Sequence, residues 1–161
     1  MNSVKTFFLL TIMTGFFLLI GRMIGGQSGM MIAFIFAIVM NFVSYWYSHK
    51  IVLKIHKASL ADSESNVFKS FQALLSKADI QGPKLYIYDS DEPNAFATGR
   101  NFENSVVAVS SSLLDTLNKE EIEGVLAHEI AHIENNDILI ASVAATFAGA
   151  ISMIASMLKW G

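Results

Sequence analysis

The sequence predicts an α+β membrane protein in three parts: a transmembrane helical hairpin over residues 1–48, a small water-facing domain over 49–137 and a third transmembrane helix over 138–161. Three observations predict it. Of 161 residues, 53% are hydrophobic and only 16% charged, with a mean hydropathy of +0.47, too apolar for an ordinary soluble domain of this length. The apolar residues are gathered into three stretches, 6–21, 25–48 and 138–158, that contain no Asp, Glu, Lys, Arg or His. Between the last two lies a polar segment in which helical and strand patterns follow one another.

The stretch 138–158 is 21 residues long. At about 1.5 Å rise per residue it reaches roughly 31 Å, close to the hydrocarbon thickness of a bilayer. The stretch 25–48 is densest from 30 to 47 and ends in Tyr45, Trp46 and Tyr47, residues that favour the headgroup layer. The first stretch is shorter, but Arg22 can snorkel, which extends the span to Ile24 and to roughly 28 Å. Lys5 followed by an apolar run also fits a cleaved signal peptide, yet no A-x-A site follows and a second span begins at once. The pair therefore predicts a hairpin turning over Gly25, Gly26, Gln27, Ser28 and Gly29. Lys5, Lys50, Lys54 and Lys57 flank it on one side against Arg22 and Lys159 on the other, which favours a cytoplasmic N-terminus and middle domain.

In the middle domain Val67, Phe68, Phe71, Leu74, Leu75 and Ala78 repeat at helical spacing until Gly82 and Pro83 stop the pattern. Leu85, Tyr86, Ile87 and Tyr88 read as a strand, 95–98 as a second apolar patch after an acidic turn, and 106–109 as a third strand. Leu113, Leu114 and Leu117 predict a short helix. Asn118 with Glu121 three residues later has the form of a capping box, opening a helix from Lys119 to about Asn135. Asp89 and Asp91 have calcium-loop spacing, but Pro93 and Arg100 occupy positions where that loop needs ligands, so the turn reads as solvated. Ser110, Ser111 and Ser112 lack a G-x-S-x-G elbow and read as cap or turn residues.

Eleven Lys and Arg against fourteen Asp and Glu leave a net charge of −3, which excludes a nucleic-acid partner bound through its phosphates. With no cysteine, any metal site must use His and carboxylate, and only His49, His56, His128 and His132 are available. His49 and His56 follow the second span among lysines and read as interfacial. His128-Glu129-Ile130-Ala131-His132 is different. Two His four residues apart lie one turn apart on one helix face and can share a single zinc ion, while Glu129, rotated by about 100°, stands beside the metal without ligating it. From there a carboxylate can take a proton from an attacking water and pass it to a leaving amine. The chemistry implied is hydrolysis of a peptide bond. Four His and eight Glu placed independently give roughly 0.005 such motifs per chain, so chance explains it poorly.

The chain resembles the M48 metallopeptidases. The residues that carry the resemblance are Pro93-Asn94-Ala95-Phe96-Ala97-Thr98-Gly99, Val107-Ala108-Val109-Ser110, and the HExxH motif with Asn135 and Asp137 after it; the hairpin and the span following the motif fit as well. The resemblance implies a zincin-like catalytic domain facing the cytoplasm, in a multi-pass protein of the bacterial inner (plasma) membrane. It implies zinc (Zn2+) held by His128, His132 and a distant Glu, with Glu129 as catalytic base. It further implies that Ala95, Phe96, Ala97 and Thr98 form a strand edge for pairing with substrate backbone and that Asp137 stands behind the metal ligands. The implied substrates are unfolded or damaged membrane proteins, cleaved within the lipid bilayer's surroundings as quality control under stress; self-association into a homo-oligomer is left open.

A catalytic zinc needs a third protein ligand and an open position. After Asp137 the sequence has no Asp, Glu or His, and Asn135 and Ile138 stand where the metzincin pattern needs Gly and His. In the resembled family the third ligand is a Glu beyond a fourth span. The expectation is therefore that these residues are the N-terminal part of a longer enzyme, inactive alone. Glu123, five residues before His128, is turned well off its face, while Glu92 and Glu103 stay open as replacements. The alternative is a non-catalytic membrane scaffold or partner that retains the HExxH helix. A channel reading has little support, because no span carries an ionisable residue in its middle.

Overall fold

The computed structural model describes residues 2–135, 137–144, 147–148 and 151. Its contacts divide the chain into two units, 1–48 with 139–161, and 49–138.

The first unit is built on the part of helix α1 (Asn2–Ile55) up to Ser48; the helix backbone is non-helical only at Gly25 (φ −130°, ψ 18°) and Gly26 (φ 58°, ψ −138°). A positive φ at Gly26 is open to glycine at little cost. The two limbs on either side of this break run antiparallel and touch along their length. Asn41 Nδ2 donates to Thr14 Oγ1 at 3.0 Å, and that hydroxyl donates in turn to the Leu10 carbonyl at 2.8 Å. Phe17 and Phe36 meet edge to face with ring centroids 5.3 Å apart. Nearest the break, a Cβ on Gly21 would fall 2.5 Å from the Cβ of Ala33, so the limbs approach closely only because residue 21 has none. Val143 and Phe147 are buried with Phe17 and Ala37, so the described part of 139–148 packs on this pair. That part is helical where described; the rest of the predicted third span lies outside the described residues.

Away from this seam Phe8, Ile12, Leu19, Ile35, Ile38 and Phe42 are exposed. Val4–Ile55 is the one helix among the described residues long and apolar enough to cross a membrane.

One feature differs from expectation. The expected five-residue turn contracts to Gly25 and Gly26, because Gln27, Ser28 and Gly29 can all adopt helical backbone and do. The helix of the second limb runs on past the apolar stretch that ends at residue 48. It continues to Ile55, since nothing before Lys57 breaks a helix; there φ is 51°, the Lys57 N–H donates to the Lys54 carbonyl (3.2 Å) and the Ala58 N–H to the Leu53 carbonyl (2.9 Å).

The second unit contains β1 (Ser59–Leu60), α2 (Asn66–Lys77), β2 (Lys84–Tyr88), β3 (Ala95–Gly99), a 3-10 turn (Phe102–Asn104), β4 (Ser105–Ser110), α3 (Ser111–Thr116) and α4 (Lys119–Glu134). β1 and the 3-10 turn are too short to leave a periodic signal in the sequence. The sheet order is β1-β2-β4-β3, with β2 and β4 parallel and both outer pairings antiparallel. β4 is central and every one of its six residues is buried, which is why its sequence reads as continuous rather than alternating. β3 lies at an edge and pairs with β4 in the register Ala97 opposite Val107.

Local chemistry sets the helix starts. Ser65 caps α2 by accepting from the Phe68 N–H, and Asn118 and Glu121 cap α4 reciprocally at 3.0 and 2.9 Å. The apolar faces of both helices, with Phe71, Leu75, Leu126, Ile130 and Ile133, close on Leu85, Val107 and Val109 of the sheet. Ile138, which the sequence places in the third span, is buried in this same core.

Candidate metal centre

With Leu126, Ile130 and Ile133 turned into the core, the 3.6-residue period of α4 carries His128 and His132 to its outer side. The two rings stand nearly perpendicular with centroids 4.7 Å apart, and their Nε2 atoms are 3.2 Å from each other. Two imidazole nitrogens brought to one point in this way are a donor set suited to a borderline-soft divalent cation.

His132 is also held from behind. Its Nδ1 lies 3.2 Å from both carboxylate oxygens of Asp137. The turn that places Asp137 there is itself tied to the helix end, for the Asp137 N–H donates to the His132 carbonyl and the Asn135 side chain donates to the Ala131 carbonyl. A carboxylate on Nδ1 fixes the tautomer in which Nε2 carries the lone pair. Glu129, the next residue round the helix, is half-buried, and its carboxylate makes no hydrogen bond or ion pair among the described residues.

α4 packs against β3, the edge strand that contains Ala95, Phe96, Ala97 and Thr98. Ala95 and Ala97 face the core shared with α4. Phe96, on the opposite face, stacks with Tyr88 and with His56, whose ring lies 4.8 Å from Tyr88 and 5.3 Å from Phe96. That contact leaves no local pattern in the sequence. Burial raises the Tyr88 phenol above its usual range, opposed by hydrogen bonds to Asn94 and Ser110. His49 is held below the usual histidine range, first by burial and then by the charges of Lys50 and Arg100.

Among the described residues no group of three His, Cys, Asp or Glu comes together at one point. Glu123 is engaged elsewhere, accepting from Ser70 Oγ at 2.7 Å and facing Lys119 at 3.7 Å. The residues outside the described set contain no Asp, Glu or His. The fit to a zinc site is thus a fit of two ligands and a carboxylate behind one of them.

Residues 61–160 match the sequence profile of Peptidase family M48, which is well over half of the chain. The chain belongs to peptidase family M48. Similar proteins include a "Protease HtpX homolog" of Desulforapulum autotrophicum, 53% identical over 99% of this chain and 52% of the relative. A "Protease HtpX" of Legionella pneumophila strain Philadelphia 1 is 49% identical over 99% of this chain and 57% of its own length. The chain spans about half the length of the curated relatives it matches. Among solved structures, the crystal structure of S. mikatae Ste24p resembles it in fold, with a TM-score of 0.54 at 20% identity, covering 91% of this chain and 36% of that one.

Proposed function

We propose that this M48 chain belongs to a membrane-anchored zinc endopeptidase that cleaves unfolded or damaged membrane proteins. The observation that carries the reading is the meeting of the His128 and His132 Nε2 atoms, backed by Asp137, on a helix packed beside an edge strand. His128 and His132 would hold the metal, and Asp137 would orient His132. Bound zinc supplies Lewis acidity to the scissile carbonyl. Glu129 takes the proton of the attacking water and returns it to the leaving amine. The outer edge of β3, through the backbone of Ala95, Phe96, Ala97 and Thr98, receives an extended substrate as an added strand.

The two limbs of α1, as far as Ser48, form a transmembrane hairpin, and the residues from 139 onward form a third span. The exposed apolar side chains of the two limbs support the hairpin, because such surface is stable in lipid rather than in water. The lysines after the second limb favour a cytoplasmic peptidase domain in a bacterial inner membrane. The third zinc ligand comes from outside these residues, from more of the polypeptide or a second copy. The missing ligand also favours a second reading, a non-catalytic scaffold.

Zinc content of the detergent-purified chain, after metal loading and dialysis, tests the site without assuming a substrate. Metal lost in His128→Ala supports the pair as ligands; equal retention in that variant overturns it. In a protein extended to the length of its relatives, Glu129→Gln separates enzyme from scaffold. An enzyme keeps its zinc and loses cleavage of an unfolded membrane protein by about 10²–10⁴-fold. A scaffold shows no cleavage to lose.

A further inference from the structure

Residues 1–61 contain no Asp or Glu, yet carry Lys5, Arg22, Lys50, Lys54 and Lys57. Three of those five cations cluster where α1 leaves its apolar stretch. The helix runs without a break past Tyr45, Trp46 and Tyr47 to Ile55, so Lys50 and Lys54 are displayed on its last turns instead of in a loop. Four residues apart, they differ by about 40° in direction and about 6 Å in height, and both are exposed. Lys57 follows at the position that closes the helix.

We propose that Lys50, Lys54 and Lys57 form a binding surface for the phosphate of an anionic lipid headgroup. The inference rests on the membrane reading above. Three observations support it beyond the presence of charge. First, Lys54 and Lys57 make no ion pair among the described residues; the Lys–Glu pairs there are Lys69 with Glu64 and Lys119 with Glu123. Second, Lys57 closes the helix at φ 51° with its side chain exposed, three residues after the exposed Lys54. Third, Lys50 and Arg100 both lie close enough to act on the neighbouring His49, which burial first and then these two cations hold below the usual histidine range. Tyr45, Trp46 and Tyr47, residue types of the membrane interface, directly precede the cluster in sequence.

The test is the association of spin-labelled phosphatidylglycerol, against spin-labelled phosphatidylcholine, with the full chain reconstituted in phosphatidylcholine bilayers. The expected result is a selectivity for the anionic lipid to which each lysine contributes up to about fivefold, reduced by high salt and abolished in Lys50→Gln/Lys54→Gln/Lys57→Gln. Lys57→Gly separates a headgroup role from a structural one. It relieves the backbone and should raise the melting temperature, while lowering lipid selectivity. A chain that stays in the bilayer but shows equal association of the two lipids, or a triple variant with unchanged selectivity, overturns the inference and leaves the membrane reading intact. Release of the chain by alkaline carbonate overturns both. Loss of selectivity on adding millimolar inorganic phosphate at constant ionic strength would assign the surface to a free anion and overturn the lipid assignment.

Discussion

Asp137 presents both of its carboxylate oxygens to Nδ1 of His132, each at 3.2 Å, five residues beyond it and past the end of the helix that carries it. Removing that carboxylate leaves the imidazole free to rotate and to take the other tautomer. Asp137→Ala should weaken zinc binding by about 10–100-fold, measured by competition with a chelator, with helix content unchanged. Affinity equal to that of the unaltered chain would show that the contact does not orient a ligand.

Ser110 should matter more than an ordinary cap. Its buried hydroxyl accepts from the Leu113 N–H that opens α3 (3.2 Å) and from the Asn94 N–H that leads into β3 (2.9 Å). Ser110→Ala removes the cap, worth about 0.5–2 kcal/mol, and leaves the Asn94 donor short of a partner, worth about 1–3 kcal/mol more. A loss of about 1.5–5 kcal/mol is expected, read from thermal or denaturant unfolding in detergent. A change within a few tenths of a kcal/mol would contradict it.

Asp79 offers the opposite sign. It closes α2 at φ 55°, where its own N–H and that of Ile80 bond back to Ser76 and Leu75, and its negative charge stands at the negative end of the helix. Asp79→Gly relieves both the backbone and the dipole and should stabilise by about 1 kcal/mol. Differential scanning fluorimetry should show a rise in melting temperature; a fall would mean that the aspartate makes a compensating contact.

His49 predicts an acid-side loss of stability. Folding holds it below 6.5, so over the window beneath that pH the unfolded chain binds more protons than the folded one. The stabilisation is complete above 6.5 and declines as pH falls through the folded value. His49→Gln should flatten the stability profile in that window and leave neutral pH less affected; a profile of unchanged slope would remove His49 as its source.

Much of the chain was legible as pattern. Capping chemistry is local, and the Asn118–Glu121 box and the period of α4 could be read from four and sixteen consecutive residues. The two His one turn apart follow from helix geometry alone. The apolar stretches announce themselves by length, and the strand signals at 85–88, 95–98 and 106–109 all fall within strands of the sheet.

Tertiary structure decided what depends on distant partners. That β3 lies at the edge while β4 fills the centre follows from which strands pair across the chain, and a strand's own sequence does not state its neighbours. Asp137 reaches His132 only because the chain turns after Asn135, and His56 meets Tyr88 and Phe96, residues far from it in the chain, within the second unit. Ile138 left the apolar run it belongs to in sequence because one core position of the second unit was within reach. Local propensity and spacing determine which elements form and what chemistry they can carry; close packing, which trades contacts between residues far apart in the chain, determines where those elements stand.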